Sequence, residues 1–383
     1  MSVAFLTTVL PGDRRGGGEI VSQAFVDALR SSGAAVNVVG YRRQGSAPPV
    51  HADDVAAGER PIETAAAGAR AALWLASGLA RREPYSFAKY RSRQYRAAAR
   101  RLLERRPGLV VLDHAQSAAA AGHLDGATPV VYLAHNVEHE IYGELAATAE
   151  GPRAVLLRRE AALVRRLETA LAGRAAEVWA LTDADAAALE RLGARRTRSF
   201  AVPPTGSPEQ DPPPPDVDVA LLGTWTWESN AAGLRWFRDR VLPELPEGVT
   251  VAVAGAGSEA VGAANGRVRA LGVVGDALQF LRRARVVAIP SVAGSGVQVK
   301  TLDAIASGRR VVATPVAARG LGDLPPTVTV ADGPAGFAAA LAQALAAPEE
   351  RAAEEAASWT ARREREFGEA VAAAARPYLG GSA

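Results

Sequence analysis

The stretch from Val286 to Thr314 carries the clearest chemical pattern in the chain. It reads VVAIPSVAGSGVQVKTLDAIASGRRVVAT, which predicts a strand, a glycine-rich loop, a helix from about Val297 to Ser307, a stop at Gly308 and a second strand. The free N–H groups at the start of such a helix, together with the helix dipole, favour a negative charge. The pattern therefore predicts a phosphate-binding loop.

Five positions in this loop and helix are candidate phosphate contacts. The backbone amides of Gly294, Ser295, Gly296 and Val297 lie at the predicted helix start, where glycine lets ligand oxygens approach the backbone closely. Lys300 lies in the first predicted turn and adds a positive charge. Of the 44 basic residues only two are lysines, so a lysine kept here indicates a need for a compact charge.

Asp303 lies three residues after Lys300, which places both side chains on the same face of the helix. A carboxylate at this position is able to accept hydrogen bonds from both hydroxyls of a ribose. The alternative is a plain strand-helix-strand crossover in which Asp303 only pairs with Lys300. The first interpretation makes this segment a site for the phosphates and the ribose of a nucleotide.

The same segment resembles the signature of the family-4 glycosyltransferases of the GT-B fold. The matching residues are Pro290-Ser291, Ser295-Gly296 and the run LDAIASGRRVVAT from Leu302 to Thr314. That family has two glutamates eight residues apart, and this chain has Ser295 and Asp303 at those positions. The chain is similar to a branch that reads Gly-Ser-Gly-Val-x-x-Lys. The resemblance implies that Lys300 is the phosphate cation and that Asp303 holds the ribose.

A second match runs from Gly223 to Asn230 and is similar to the Gly-x-x-x-Trp-x-Pro-Asn turn of that branch. Gly223 and Asn230 are therefore candidate donor-binding residues, although Asn230 is also a good N-cap and need do no more than start its helix. In other family members a basic pair follows this turn, but no basic residue lies between Gly223 and Leu234. We expect Trp227 and Trp236 to be core residues.

Two motifs in the first half of the chain follow or end predicted strands. Gly16-Gly17-Gly18 follows the first strand and opens a helix, which lets a phosphate or an acceptor approach the backbone, or only adds flexibility. Asp113 and His114 end the strand Leu109 to Leu112, and as a carboxylate and imidazole pair they suit a base. The resemblance implies that the glycine loop lines the cleft of the enzyme, and their position at a strand end makes Asp113 and His114 further cleft candidates.

A third motif, His135-Asn136-Val137-Glu138, follows the predicted strand Val130 to Leu133. His135 is therefore expected at the carboxyl edge of the sheet, where open α/β folds bind ligands. The family has His-Asn-x-Glu here, which implies that Asn136 and Glu138 also line the cleft and that His135 contacts the transferring sugar or orients the acceptor. The alternative is a His135 and Glu138 pair that only shapes a loop.

The elements that must position these residues follow a βα rhythm. Short β-branched runs alternate with longer Ala/Leu/Arg segments, which predicts parallel sheets covered by helices. The predicted strands are Val3 to Leu10, Val36 to Gly40, Leu109 to Leu112, Val130 to Leu133, Val178 to Leu181, Val217 to Leu222, Val249 to Ala254, Val268 to Leu271, Val286 to Ile289 and Arg310 to Ala313.

The fold class is α/β, and the resemblance implies GT-B, with two facing Rossmann-like domains and a C-terminal helix that crosses back to the first. A proline-rich stretch marks the boundary between the domains. The predicted parts are an N-terminal acceptor-binding domain (1–205), the linker (206–216), a C-terminal nucleotide-sugar-binding domain (217–350) and a C-terminal helix packing back toward the N-terminal domain (351–383).

The composition limits the class of protein. The chain has no cysteine, which excludes disulfides, thiolate metal sites and a cysteine nucleophile. Because the sequence shows neither a run of about 18 apolar residues nor a basic leader, we expect a cytoplasmic protein with at most peripheral membrane contact. The net charge of +3 is spread over many helices, so nucleic-acid binding is not expected.

No metal site is predicted. Asp183-Ala-Asp185 and Asp216-Val-Asp218 imitate a metal-binding Asp-x-Asp, but the first opens a predicted helix and the second leads into a strand. His135 and His139 have a zinc-like spacing without a third ligand. The GT-B resemblance likewise implies a reaction without a metal.

The resemblance implies a glycosyltransferase that moves a hexose or related sugar from a nucleoside-diphosphate sugar to an acceptor hydroxyl with retention of configuration. Its catalytic residues are His135 and Lys300, and it needs no cofactor beyond the donor as co-substrate. The acceptor stays open between a polysaccharide, a lipid-linked glycan and a secondary metabolite. The alternatives are an epimerase or phosphorylase on the same fold and, because Ser295 replaces a glutamate, a silent nucleotide-sugar or glycan-binding module.

Overall fold

The computed structural model describes residues 2–13, 16–43, 51–61, 68–122, 124, 126, 128–209, 213–261, 266–294, 296–348 and 352–380. The chain divides into two compact units. Unit 1 comprises residues 1–200 and 367–383, and unit 2 comprises residues 201–366. Two parallel sheets with surrounding helices make this an α/β fold, as predicted.

The sheet of unit 1 has seven described strands in the order β3-β2-β1-β4-β5-β6-β7, all parallel. Residues Val3 to Val9 are buried along the whole of the first strand, as expected for a strand covered on both faces. The strands are β1 (Ser2–Val9), β2 (Ala35–Arg43), β3 (Val55–Arg60), β4 (Leu109–Asp113), β5 (Val130–Ala134), β6 (Glu177–Ala180) and β7 (Thr197–Ser199).

In the part of unit 1 that the structure describes, eight helices connect or cover these strands. The longest carries two buried glutamates on one face, and each of them binds the N-terminus of a shorter helix. The helices are α1 (Gly17–Ser31), α2 (Ala69–Arg81), α3 (Tyr85–Ala88), α4 (Arg93–Leu103), α5 (Ala115–Ala121), α6 (Glu138–Thr148), α7 (Gly151–Arg174) and α8 (Asp183–Arg191).

Unit 2 contains a six-stranded parallel sheet in its described residues, in the order β10-β9-β8-β11-β12-β13. Its strands are β8 (Val217–Leu222), β9 (Val251–Ala254), β10 (Val268–Ala270), β11 (Ala284–Ile289), β12 (Arg310–Ala313) and β13 (Val328–Val330). Its helices are α9 (Glu228–Trp236), α10 (Ala277–Arg282), α11 (Val299–Ala306), α12 (Pro315–Ala318) and α13 (Pro334–Ala346).

The strand order reverses once in each sheet, between β1 and β4 in unit 1 and between β8 and β11 in unit 2. At such a reversal the loops that follow the two central strands diverge and leave a crevice, where open α/β sheets bind their ligands. The motifs after β1 and β4 therefore meet at one crevice, and those after β8 and β11 at another.

The last helix, α14 (Ala352–Leu379), contributes residues to both units. Its first half belongs to unit 2, where Arg363 donates hydrogen bonds to the carbonyl oxygens of Val202 and Leu321 at 2.7 Å each. Its second half belongs to unit 1, where Phe367 packs against Phe25 with ring centroids 5.0 Å apart. The predicted C-terminal helix is thus present and continues into the first unit.

Three strands were not predicted from the sequence: β3, β7 and β13. The sequence of β3, VAAGER, has little β-branched character and several exposed residues at a sheet edge. The other two have three residues each, too few for an alternating pattern. In the described part of the chain, no helix combines enough length and apolarity to span a lipid bilayer.

Candidate functional site

The side chain of Asp113 is the centre of a buried polar network at the crevice of unit 1. It is 0% exposed at the end of β4. The hydroxyls of Thr7 in β1 and Ser22 in α1 donate to its Oδ2 at 2.5 Å and 2.7 Å. The Nε2 of His135, directly after β5, lies 2.7 Å from its Oδ1. Both oxygens are therefore satisfied, as a buried carboxylate requires.

This network keeps Asp113 ionised. Burial raises the pKa of Asp113, but the adjacent imidazoles and the hydrogen bonds from His135 and Thr7 lower the pKa to about 2. An ionised carboxylate only accepts hydrogen bonds, so the Nε2 of His135 carries the hydrogen that it donates. In a neutral imidazole this leaves Nδ1 as the acceptor, so Asp113 selects that tautomer in the way that a carboxylate orients a catalytic histidine.

His114 stacks on His135, with ring centroids 3.8 Å apart and ring planes 28° from parallel. Desolvation and the neighbouring His135 lower the pKa of His114 to about 4, so it is uncharged at neutral pH. The φ of His114 is 64°, a conformation that non-glycine residues adopt at a cost and that concentrates at functional sites.

The three glycines predicted at this crevice lie at the start of α1. Gly16 is the N-cap and Gly17 the first helical residue. A Cβ on Gly18 would lie 3.4 Å from the Cε1 and Nε2 atoms of His114 and 3.9 Å from the Nδ1 of His135. Glycine at position 18 thus lets the start of α1 lie against both imidazoles. The structure brings Gly18, Asp113, His114 and His135 together as one cluster.

Asn136 and Glu138 follow His135 and are held by α6. The buried Glu168 of α7 accepts hydrogen bonds from the backbone N–H of Glu138 at 2.8 Å and of His139 at 3.1 Å, so it caps the start of α6. Burial and the nearby Glu168 raise the pKa of Glu138 to about 7. The alternative pairing of His135 with Glu138 is wrong, since His135 bonds Asp113.

Asp113, His114 and His135 are also the group of described residues whose ligand atoms are close enough for a metal, within 4.8 Å of one another. The two imidazole rings are stacked face to face, and the Nε2 of His135 is already bonded to Asp113. Asp113 already accepts three hydrogen bonds. The donor set is therefore that of an oriented imidazole and fits a metal poorly.

In unit 2, Lys300 forms a hydrogen bond between the first turns of α11 and α9, the helices that follow β11 and β8 at the crevice. Its Nζ donates to the Oδ1 of Asn230 at 2.8 Å, and the Nδ2 of Asn230 donates to the carbonyl oxygen of Thr224 at 3.0 Å. Burial lowers the pKa of Lys300 to about 8. A desolvated ammonium at a crevice is poised to bind an anion that replaces its lost water.

The glycine-rich loop before α11 adopts conformations that glycine permits. The φ values are 131° at Gly294 and 65° at Gly296. The helix begins at Val299, so Val297 precedes it and Lys300 is its second residue. Ser295 lies outside the described residues. Arg319, which sequence reasoning missed, donates to the carbonyl oxygen of Gly294 and adds a second cation beside this loop.

Asp303 does not pair with Lys300 in the structure. Its Oδ1 accepts hydrogen bonds from the hydroxyl of Thr205 at 2.6 Å and from the backbone N–H of Thr205 at 3.3 Å. Burial raises the pKa of Asp303. Asp303 thus already accepts a hydrogen bond from a hydroxyl, one helical turn after Lys300 in α11. The alternative pairing of Asp303 with Lys300 is wrong.

Two expectations for the turn after β8 are also wrong. Asn230 is not an N-cap: the N-cap of α9 is Trp227, and Asn230 lies inside the first turn. Trp227 is not a core residue but 60% exposed, whereas Trp236 packs partly buried against the core. Gly223 is explained by close packing, since a Cβ there would lie 3.1 Å from the ring of Trp225.

The two Asp-x-Asp motifs have structural partners. Thr182 caps α8 by accepting from the backbone N–H of Asp185 at 3.0 Å, and Asp183 bonds Ser199. Asp216 pairs with Arg283. Asp218 bonds Thr250 and, at 2.9 Å, Arg285. Both motifs are engaged in capping and ion pairs, as expected from the sequence.

Comparison with known families identifies the chain. A model described as "Glycosyl transferase 4-like domain" matches residues 16–205, and one described as "Glycosyl transferases group 1" matches residues 216–347. The chain belongs to the group 1 glycosyltransferases whose N-terminal domain is of the glycosyl transferase 4-like type. It is therefore an enzyme of the glycosyltransferase class. A search of curated protein sequences gives no significant match.

Several solved structures share the fold of this glycosyltransferase. The sucrose-phosphate synthase of Thermosynechococcus elongatus has 16% identity and a TM-score of 0.67, covering 98% of this chain and 97% of that one. HepE of Anabaena, in complex with UDP and glucose, has 15% identity and a TM-score of 0.63 over 99% of both chains. WaaG, a glycosyltransferase involved in lipopolysaccharide biosynthesis, has 17% identity and a TM-score of 0.62 over 100% of both. The fold class is thus GT-B.

Sequence reasoning missed the residues that support the predicted ones. Thr7 and Ser22 satisfy Asp113, Glu168 caps the helix after His135, and Thr205 binds Asp303. Each of them lies far along the chain from its partner in a segment without a motif of its own. Arg319 alone had a signal, because it is one of the first basic residues after the family-like run.

Proposed function

We propose that this glycosyltransferase takes a hexose or related sugar from a nucleoside-diphosphate sugar and transfers it to an acceptor hydroxyl with retention of configuration and without a metal ion. The observation that supports the donor class is the Lys300 to Asn230 hydrogen bond across the crevice of unit 2. A cation held between a glycine-rich loop and the start of α9 fits a diphosphate. HepE, which shares the fold, was solved with UDP and glucose.

In the proposed reaction the bond between the anomeric carbon and the leaving phosphate oxygen breaks while the acceptor oxygen forms its bond on the same face. The proton of the acceptor hydroxyl passes to the leaving diphosphate. No protein nucleophile is required. The part of the chain in this step is electrostatic: Lys300 and the amides at Gly294, Gly296 and Val297 stabilise the negative charge that grows on the diphosphate.

Asp303 binds the ribose hydroxyls in this proposal, exchanging its hydrogen bonds from Thr205 for those of the nucleoside. His135 accepts a hydrogen bond from a hydroxyl of the transferring sugar through Nδ1, because Nε2 is committed to Asp113. Gly16, Gly17 and Gly18 leave room for the acceptor beside the imidazoles. The positive charge of Lys300 takes the place of a metal at the diphosphate.

A thermal-shift screen against UDP-, GDP- and dTDP-linked sugars tests the donor class. A ligand at 100 times its Kd raises the free energy of unfolding by about 2.7 kcal/mol, which is a readily measured shift. We expect one of the three series to stabilise the chain with EDTA present as well as with Mg²⁺. Stabilisation by none of them, or only with Mg²⁺, contradicts the proposal.

The stereochemical part has its own experiment. Once a donor and a simple acceptor alcohol support turnover, proton NMR of the product gives the anomeric configuration directly. The proposal expects the configuration of the donor to be kept. An inverted product would instead give Asp113 and His135 the role of a general base, since their geometry also suits that chemistry.

A further inference from the structure

Trp227 is the exposed member of the tryptophans in this chain. Its residue surface is 60% exposed, while Trp179, Trp225 and Trp359 are buried at 5% or less. Tryptophan is highly buried on average, because its large apolar surface is costly to leave in water. A tryptophan kept on the surface beside a predicted binding crevice therefore indicates a ligand that covers it.

The backbone around Trp227 holds the residue in place. The N–H of Trp227 donates to the carbonyl oxygen of Thr224 at 3.2 Å, and its own carbonyl oxygen accepts from Ala231 at 2.9 Å as α9 begins. Two residues earlier, the indole of the buried Trp225 donates to the carbonyl oxygen of Ala254 at 2.8 Å. This turn is fixed at both ends, so the exposed indole belongs to a preorganised surface and not to a loose loop.

The same turn leads into the predicted phosphate contact. Trp227 is the N-cap of α9, and Asn230 in the first turn of that helix accepts from Lys300. Asp303 lies one helical turn after Lys300 in α11. The proposed ribose contact Asp303, the proposed diphosphate contact Lys300, Asn230 and the exposed Trp227 are thus connected by one turn of α11, one hydrogen bond and the first turn of α9.

We propose that Trp227 stacks on the apolar face of the pyranose ring of the donor, next to the diphosphate. This inference rests on the proposed function and adds a sugar subsite to it. Along a nucleoside-diphosphate sugar, the ring that follows the diphosphate on the side away from the ribose is the sugar. An indole face and the C–H face of a pyranose are matched apolar surfaces, whereas the ring hydroxyls stay free for polar contacts.

Calorimetric binding of paired ligands tests this subsite. UDP-glucose and UDP, and GDP-mannose and GDP, are titrated into the wild type, Trp227→Ala and Trp227→Phe. Val273→Ala is the matched control, because Val273 is an apolar residue of unit 2 that is 78% exposed and lies in the loop after β10. We expect Trp227→Ala to weaken the sugar nucleotide about tenfold and the free nucleotide less than about twofold. Trp227→Phe and Val273→Ala are expected to stay near the wild type.

The outcomes separate this inference from the proposed function. Equal weakening of the nucleotide and the sugar nucleotide places the indole on the base and overturns the sugar subsite. Unchanged affinity for both ligands, with or without a raised KM for the acceptor, overturns it as well. If the wild type binds neither these four ligands nor the matching dTDP pair, dTDP-glucose and dTDP, the proposed donor class itself fails. Circular dichroism of Trp227→Ala confirms that an exposed side chain was removed without loss of the fold.

Discussion

Replacing Lys300 by methionine is expected to make the protein more stable and less active. Burial lowers the pKa of Lys300 from 10.5 to about 8. At about 1.4 kcal/mol for each pH unit, holding this ammonium charged at pH 7 costs the folded state about 3 kcal/mol. Methionine has a similar length and no charge, but it gives up the hydrogen bond to Asn230, worth about 1 kcal/mol. The expected gain in the free energy of unfolding is about 2 kcal/mol.

The pH dependence of this gain has a definite sign. Between pH 8 and 10.5 the folded wild type releases a proton that the unfolded chain keeps, so its stability rises with pH through that range. Lys300→Met lacks this titrating group. The difference in the free energy of unfolding between Lys300→Met and the wild type is therefore expected to shrink toward pH 10.5. Urea unfolding at pH 7, 8.5 and 10 measures it, with m-values compared to check that the unfolded states match.

The same variant is expected to lose donor binding. A buried charge that lowers the stability of the fold is retained where it serves a function. For Lys300 we expect that function to be binding of the diphosphate. Lys300→Arg is the matched control, since it keeps a charge that does not titrate below pH 12. We expect nucleoside-diphosphate affinity to fall above pH 8 in the wild type and to be independent of pH there in Lys300→Arg. A less stable Lys300→Met with unchanged nucleotide affinity would refute the reasoning.

Three further predictions address the other side chains. Asp113→Asn is expected to lower kcat by about 10² to 10⁴-fold through the wrong tautomer of His135, with circular dichroism unchanged; a fall only in apparent affinity would contradict it. The pKa of His114 is about 4 in the folded protein and 6.5 in the unfolded chain. Because the unfolded chain takes up this proton first, the free energy of unfolding of the wild type is expected to fall by about 3 kcal/mol as the pH drops from 6.5 to 4. Urea unfolding at pH 7 and 4.5 should show that His114→Asn lacks this loss of stability. An equal loss of stability in the wild type and in His114→Asn would disprove the assignment. Asp303→Ala is expected to weaken nucleoside-diphosphate binding in calorimetry, and equal affinity would remove Asp303 from the ribose site.

The sequence was sufficient for the parts of the fold that depend on local pattern. The strands β1, β4, β5, β8 and β11 are short, largely apolar segments that contain valine, threonine or isoleucine, so their positions and the loops after them were predictable within a few residues. The site residues at these strand ends then follow from the rule that parallel strands expose their carboxyl edges to ligands. This is why Gly18, Asp113 and His135 could be named in advance.

The pairings among the site residues were not predictable. Asp113 was grouped with its neighbour His114, but it bonds His135, which lies 22 residues away on the next strand. His114, whose φ is 64°, instead stacks its ring on His135. Pairing of this kind depends on strand register and on single dihedral angles. Neither of these can be deduced from the spacing of residues in the sequence.

The exposure of Trp227 was likewise not predictable from the sequence. Its apolar character and its place in a strand-to-helix turn favoured burial, and two residues earlier Trp225 is indeed buried. The buried indole of Trp225 donates a hydrogen bond to the carbonyl oxygen of Ala254, a contact between the turn after β8 and the end of β9 that residue type alone does not predict. A preference for burial is a property of residue type, whereas the direction of a side chain is set by the tertiary structure.

The most direct measurement is the release of nucleoside diphosphate by the purified wild type and Lys300→Ala, supplied with UDP-, GDP- and dTDP-linked sugars and a mixture of simple acceptor alcohols. The wild type is expected to release the nucleoside diphosphate from one donor series, with EDTA present. Lys300→Ala is expected to be slower by about 10²-fold in kcat/KM, the cost of one lost electrostatic contact in the transition state. Equal rates for the two proteins, or no release by the wild type from any of these donors, would contradict the assignment of the crevice between β8 and β11 as the donor site.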